Sequence, residues 1–151
     1  MRNMKRLFLA IIVFLLAAAP SRAQKGLQID SLFNGSFCPD STVSITKVIG
    51  GNLKSYDLDS FLSAKFNASD SEIARISSWL LADSHNATDV EMDKDGGVLV
   101  YALLTFEEDR NRHRFVGYQV KETKSGKAVT IVSMTGKASK EQLMKFFSKR
   151  T

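Results

Sequence analysis

The side chains able to do covalent or metal chemistry are few: one cysteine, Cys38, and two histidines, His85 and His113. A cysteine nucleophile must be held as thiolate by a neighbouring base. A small hydrolase or thiol-dependent enzyme would therefore need Cys38 with His85 or His113, and that is the alternative reading of the chain. Two isolated histidines without ligand spacing argue against a zinc centre. Glu91-Met92-Asp93-Lys94-Asp95-Gly96 has the opening rhythm of a calcium loop, but its first position is Glu and its twelfth is Ala102, so the bidentate ligand is missing. Neither a Gly-x-Ser-x-Gly elbow, nor a phosphate-binding glycine loop, nor His-Glu-x-x-His occurs. The sequence therefore assigns no catalytic residue, no metal ligand and no cofactor.

The remaining candidate is basic. Arg110, Arg112, His113 and Arg114 directly follow Glu107-Glu108-Asp109. They are the candidate binding residues, a knob for an acidic envelope protein or an anionic glycan. The plainer reading is a hairpin tip whose two strands carry opposite charges facing one another across the ladder. With no stacking aromatics among these cations, nucleic acid is not an expected partner.

The elements that must position these residues centre on Val98–Phe106, an apolar run without polar alternation, expected as a strand covered on both faces near the middle of a sheet. Thr88–Asp93 alternates ahead of an Asp95-Gly96 turn, and Phe115–Lys121 and Ala128–Met134 complete a four-strand C-terminal meander. Ser41–Ile49, rich in β-branched residues, supplies a fifth strand. Leu58, Phe61 and Leu62 give Asn52–Phe66 a weak helical spacing. Ser69 and Glu72 have capping-box spacing before Ile73, Ile76 and Leu80, predicting a helix that stops near Ala82 to His85. Ser139 and Gln142 repeat that spacing before a terminal helix, whose Leu143 and Phe147 would lie on the sheet or the first long helix. Leu27–Phe33 is expected as a short helix capped by Asp30 or Ser31. The fold class is α+β, an antiparallel sheet of about five strands with helices mainly on one face.

Arg2, Lys5 and Arg6 precede the apolar run Leu7–Ala19, with small residues at Ser21 and Ala23. This predicts a signal peptide over residues 1–23, cleaved before Gln24, and an exported chain of the periplasm or cell surface with no further transmembrane helix. The leader removes four of the 21 basic side chains and none of the 16 acids, leaving a net charge of +1. Residues 24–109 then hold 14 acids and 6 bases, whereas 110–151 hold 2 acids and 11 bases. Such polarity predicts that the two halves pair across the fold. Residues 24–151 suffice for a single compact domain, and a lone cysteine means that its core, not a disulfide, must hold it together.

The order of a short Leu-Phe segment, a strand like Thr42-Val43-Ser44-Ile45-Thr46-Lys47, a middle helix, a meander and a closing Val132-Ser133-Met134-Thr135-Gly136 before a Leu-rich helix resembles small exported bacterial domains of unknown function, typical of gut anaerobes. The resemblance implies no catalytic residues. With export, a complete core and the absence of a catalytic constellation, it leads to an expected non-catalytic module that binds a protein or envelope component through an uncovered sheet face or the Arg110–Arg114 loop.

Overall fold

The computed structural model describes residues 26–148; the expected leader and its cleavage site lie outside the described residues. Six strands form one antiparallel sheet: β1 (Ser44–Ile49), β2 (Leu58–Ala68), β3 (Asp89–Asp95), β4 (Val98–Asp109), β5 (Arg112–Thr123) and β6 (Gly126–Gly136). Their spatial order is β1-β2-β6-β5-β4-β3. The expected meander runs β3 to β6, and the extra strand, β2, inserts between β6 and β1. The architecture is α+β with six strands rather than five.

Strand β2 corrects the helical spacing assigned to Asn52–Phe66. That stretch splits into a 3-10 helix, Gly51–Tyr56, a left-handed Asp57 and then the strand. Leu62, Ala64 and Phe66 alternate with Ser63, Lys65 and Asn67, the two-residue period of a strand, and pair with Ser133, Ile131 and Val129 of β6. At the start of the strand a bulge between Leu58 and Ser60 breaks the alternation.

Strand β4 is interior, flanked by β5 and β3, and Ala102 to Phe106 are buried without interruption. It is nevertheless one strand in from the edge, and β5 and β6 form the middle pair. Gly96 and Gly97 join β3 to β4 with φ of 57° and 81°. A two-residue hairpin turn with both residues at positive φ carries little steric cost for glycine, which is why this pair stands there.

Helix α1 (Asp70–Ser84) starts at the anticipated capping box, with the Ser69 hydroxyl accepting from Glu72 N–H and the Glu72 carboxylate accepting from Ser69 N–H. It presses Ile73, Ile76 and Leu80 onto one sheet face against Phe66, Leu104, Phe106, Val116 and Ile131. Helix α2 (Lys140–Ser148) begins at the reciprocal Ser139–Gln142 bonds. It lies on the opposite face, where Leu143 joins Leu103, Phe115 and Met134 in a second core with Leu53 and Leu58. The helices thus cover both faces, contrary to the expectation that they lie mainly on one. The cause is the uninterrupted burial of β4 itself: Leu104 points to one core and Leu103 to the other. The side chain of Phe147 lies outside what is described. Among the described residues no helix is long and apolar enough to cross a membrane.

The first 3-10 helix, Gln28–Leu32, starts after Leu27, so Asp30 and Ser31 lie within it and neither caps its start. The Asp83 carboxylate near the end of α1 accepts hydrogen bonds from the N–H groups of Gln28 and Ile29, at 2.8 and 3.0 Å. Burial pushes the Asp83 carboxyl above its ordinary value of 3.8, outweighing those bonds and the attraction of Arg114. Folded Asp83 therefore holds a proton more readily than unfolded Asp83. Its titration contributes stability that is complete below pH 3.8 and is lost as pH rises through the folded value. With Asp83→Asn as the non-titrating reference, urea unfolding at a series of pH values should show the wild type gaining on the variant as pH falls toward 3.8. A gap moving the other way would refute the assignment.

Candidate functional surfaces

The ion pairs show where the charge asymmetry of the sequence goes. Arg112–Asp59, Arg114–Asp30, Lys127–Asp70, Lys140–Asp89 and Lys140–Glu91 each join a base of the C-terminal part to an acid of the N-terminal part. The halves pair across the fold, as the polarity predicts.

This pairing disperses the four candidate binding residues. Arg110 and Asn111 form the exposed two-residue turn between β4 and β5, Asn111 having φ of 64°. Arg112 contacts Asp59 at 2.6 Å. Arg114 is buried on the α1 face, where its guanidinium forks onto both carboxylate oxygens of Asp30 and its Nε donates to Ser133 Oγ at 3.1 Å. His113 points to the other face, half-buried, its ring 5.9 Å from that of Phe115. The loop thus leaves Arg110 as its one cation without an ion pair among the described residues. A two-residue side-chain period is what sends His113 and Arg114 to opposite faces. The cross-strand charge pair expected at the tip appears only as Glu107 opposite His113 and Asp109 opposite Arg112 in the register.

Cys38 is exposed and lines a cleft of about 300 Å³ with Asp40, Ser71, Glu72 and Arg75. Beside it the Arg75 guanidinium stands over the Phe37 ring, 5.9 Å from its centre. Neither histidine reaches this cleft. His85 caps the far end of α1, about 22 Å along a helix of this length, and His113 lies beyond the sheet.

His113 instead lines a second cleft, of about 370 Å³, between β3–β5 and the start of α2. Thr105 and Phe115 line it too, and Asp89, Glu107, Lys140 and Glu141 bring charge to it. Hydrogen bonds to Asp89 and Glu91, at 2.6 and 2.8 Å, raise the Lys140 ammonium above the ordinary lysine value. Sequence reasoning passed over Thr105 and Lys140. The one available signal was the lone threonine inside the apolar β4 run.

The third surface is the β1 margin. Every residue of β1 is exposed, and among the described residues no strand lies beside its outer edge. Ile45 and Ile49 are 53% and 68% exposed on one face, and Val48 is 37% exposed on the other. Lys47 lies on the strand, Lys65 pairs with Ser44 across the β1–β2 ladder and Lys54 sits in the 3-10 helix that follows; none makes an ion pair among the described residues. The opposite edge, β3, carries Asp89, Glu91, Asp93 and Asp95, the kind of charged margin that keeps a sheet edge from pairing. Edge β1 carries one such charge, Lys47, among its six residues.

No curated protein and no solved structure matches the chain. Residues 16–147 match the DUF6108 family model, described as a family of unknown function, and the chain belongs to that family.

Proposed function

We propose that the protein is an exported, non-catalytic module of the periplasm or cell surface that binds a protein partner by taking an extended segment of it along β1. The observation that carries this reading is the fully exposed edge strand, with a free row of backbone donors and acceptors and large apolar side chains on both of its faces. An added strand gains affinity from main-chain hydrogen bonds and specificity from alternate side chains. Ile45 and Ile49 would receive the apolar positions of the incoming strand, and the unpaired Lys47, Lys54 and Lys65 favour an acidic one. The rival thiol-enzyme reading rests on Cys38 alone, because the cleft around it offers no histidine as base.

Titrating the isotopically labelled protein with a blocked peptide of alternating valine and glutamate should shift the amide signals of Ser44–Ile49. The same peptide with lysine for glutamate should bind at least about tenfold more weakly. Shifts that avoid β1, or equal affinities for the two peptides, would overturn the proposal.

A further inference from the structure

We infer that the cleft between β3–β5 and the start of α2 is a separate small-molecule site, one that takes a hydroxylated primary amine about the size of a single sugar ring. Just beneath its surface lie two polar atoms that find no partner among the described residues. Thr105 is only 7% exposed, and its hydroxyl has no hydrogen bond; the buried Nδ1 of His113 has none either. Thr105 pairs with Phe115 across the β4–β5 ladder and Glu107 with His113, which makes Thr105 and His113 diagonal neighbours on one face. A polar atom left unpaired in such a place is costly. A ligand hydroxyl, able to donate and accept at once, suits both a threonine hydroxyl and an imidazole nitrogen.

The rim sets the charge. Asp89 is already matched by Lys140. Glu107 and Glu141 line the same cleft without an ion pair among the described residues. An anion is disfavoured there, since those carboxylates repel it and Ser139 Oγ already occupies the Gln142 N–H at the head of α2. Among the described residues no group of three His, Cys, Asp or Glu side chains is placed to hold a metal ion, so the matching cation is an organic ammonium. A volume of about 370 Å³ lies at the small end of ligand pockets and suits a single ring.

Titration with glucosamine, followed by amide shifts, tests this. Glucosamine should perturb Thr105, His113 and Glu141. Glucose and N-acetylglucosamine, which lack the ammonium, and putrescine, which lacks hydroxyls, should each bind at least about tenfold more weakly. Glu107→Gln with Glu141→Gln, both at exposed positions, should weaken glucosamine binding about tenfold or more while leaving the β1 signals in place. Thr105→Val should erase the preference over putrescine; if that variant does not fold, the carboxylate pair decides alone. No shift at these residues, equal affinity for glucose, or indifference to loss of both carboxylates would overturn the inference. None of these results depends on β1, so this site and the edge-strand proposal can fail separately.

Discussion

Replacing Gly136 with alanine should destabilise the protein by about 3 kcal/mol or more, the upper end of what forced overpacking costs. Gly136 is buried at the end of β6, where it pairs with Leu58 on one side and His113 on the other. A Cβ at this position would run into the Asp57 carbonyl oxygen and stand 2.6 Å from Leu58 Cα and 3.1 Å from Asp59 N. All three are backbone atoms, so no side chain can rotate away to make room. The same Asp57 carbonyl accepts the Ala138 N–H at 2.9 Å, so the turn that launches β2 is tied to the segment leading into α2. Moving the backbone apart would loosen both. Gly117→Ala is the control: it lies in the middle of β5, and a Cβ there meets nothing within 4 Å. Its effect should stay within about 1 kcal/mol. Urea unfolding followed by the fluorescence of the single tryptophan, Trp79, measures both variants. Comparable stabilities for the two would mean that β2 and β6 do not approach as described.

What the sequence declares well is local. Ser69 with Glu72 and Ser139 with Gln142 each specify a cap through bonds spanning a few residues, and both stand where they are expected, whereas the β3–β4 turn falls on Gly96-Gly97 rather than Asp95-Gly96, because both of its positions need positive φ. Strand β2 escaped because β6, the neighbour that buries it in the sheet, is distant in the chain, and its bulge interrupts the period that would have marked it. The same holds for β4, whose unbroken apolar run reports two covered faces but not how many strands lie beyond it. The candidate loop shows the limit most clearly. Four basic residues in five positions look like one patch, yet strand alternation parts His113 from Arg114, and Asp30, 84 residues from Arg114, neutralises it. Asp83 carried no local sign of its role because the N–H groups it receives come from Gln28 and Ile29. Of the cleft beneath α2, the sequence singles out His113 alone; Thr105, inside an apolar strand, and Lys140 carry no local sign of where the fold places them.

Arg114→Met should cost about 3 kcal/mol, the loss expected when one member of a largely buried ion pair is removed. The arginine side chain is 11% exposed and that of Asp30 25%, so water screens the pair little on one side and moderately on the other. Without the guanidinium, Asp30 keeps its charge beside the Asp83 carboxylate, whose own protonation Asp30 already favours, and Ser133 Oγ loses its donor. The N-terminal segment then brings Asp30 against Asp83 of α1 with no counter-charge holding it to the sheet. Lysine should not rescue it fully, because a point charge cannot reproduce a fork that reaches both oxygens of Asp30 and Ser133 together. The informative variant is the double one, Arg114→Met with Asp30→Leu. Burying two charges costs desolvation that their attraction only partly returns, so replacing both with apolar groups should recover most of the loss. Urea midpoints for the two single variants and the double variant form a closed cycle. Strongly non-additive losses would identify Arg114 as the latch that fixes Gln28–Leu32 to the β5–β6 surface. Additive losses would mean that the two residues act independently and that the N-terminal segment is held by Asp83 and its apolar contacts alone.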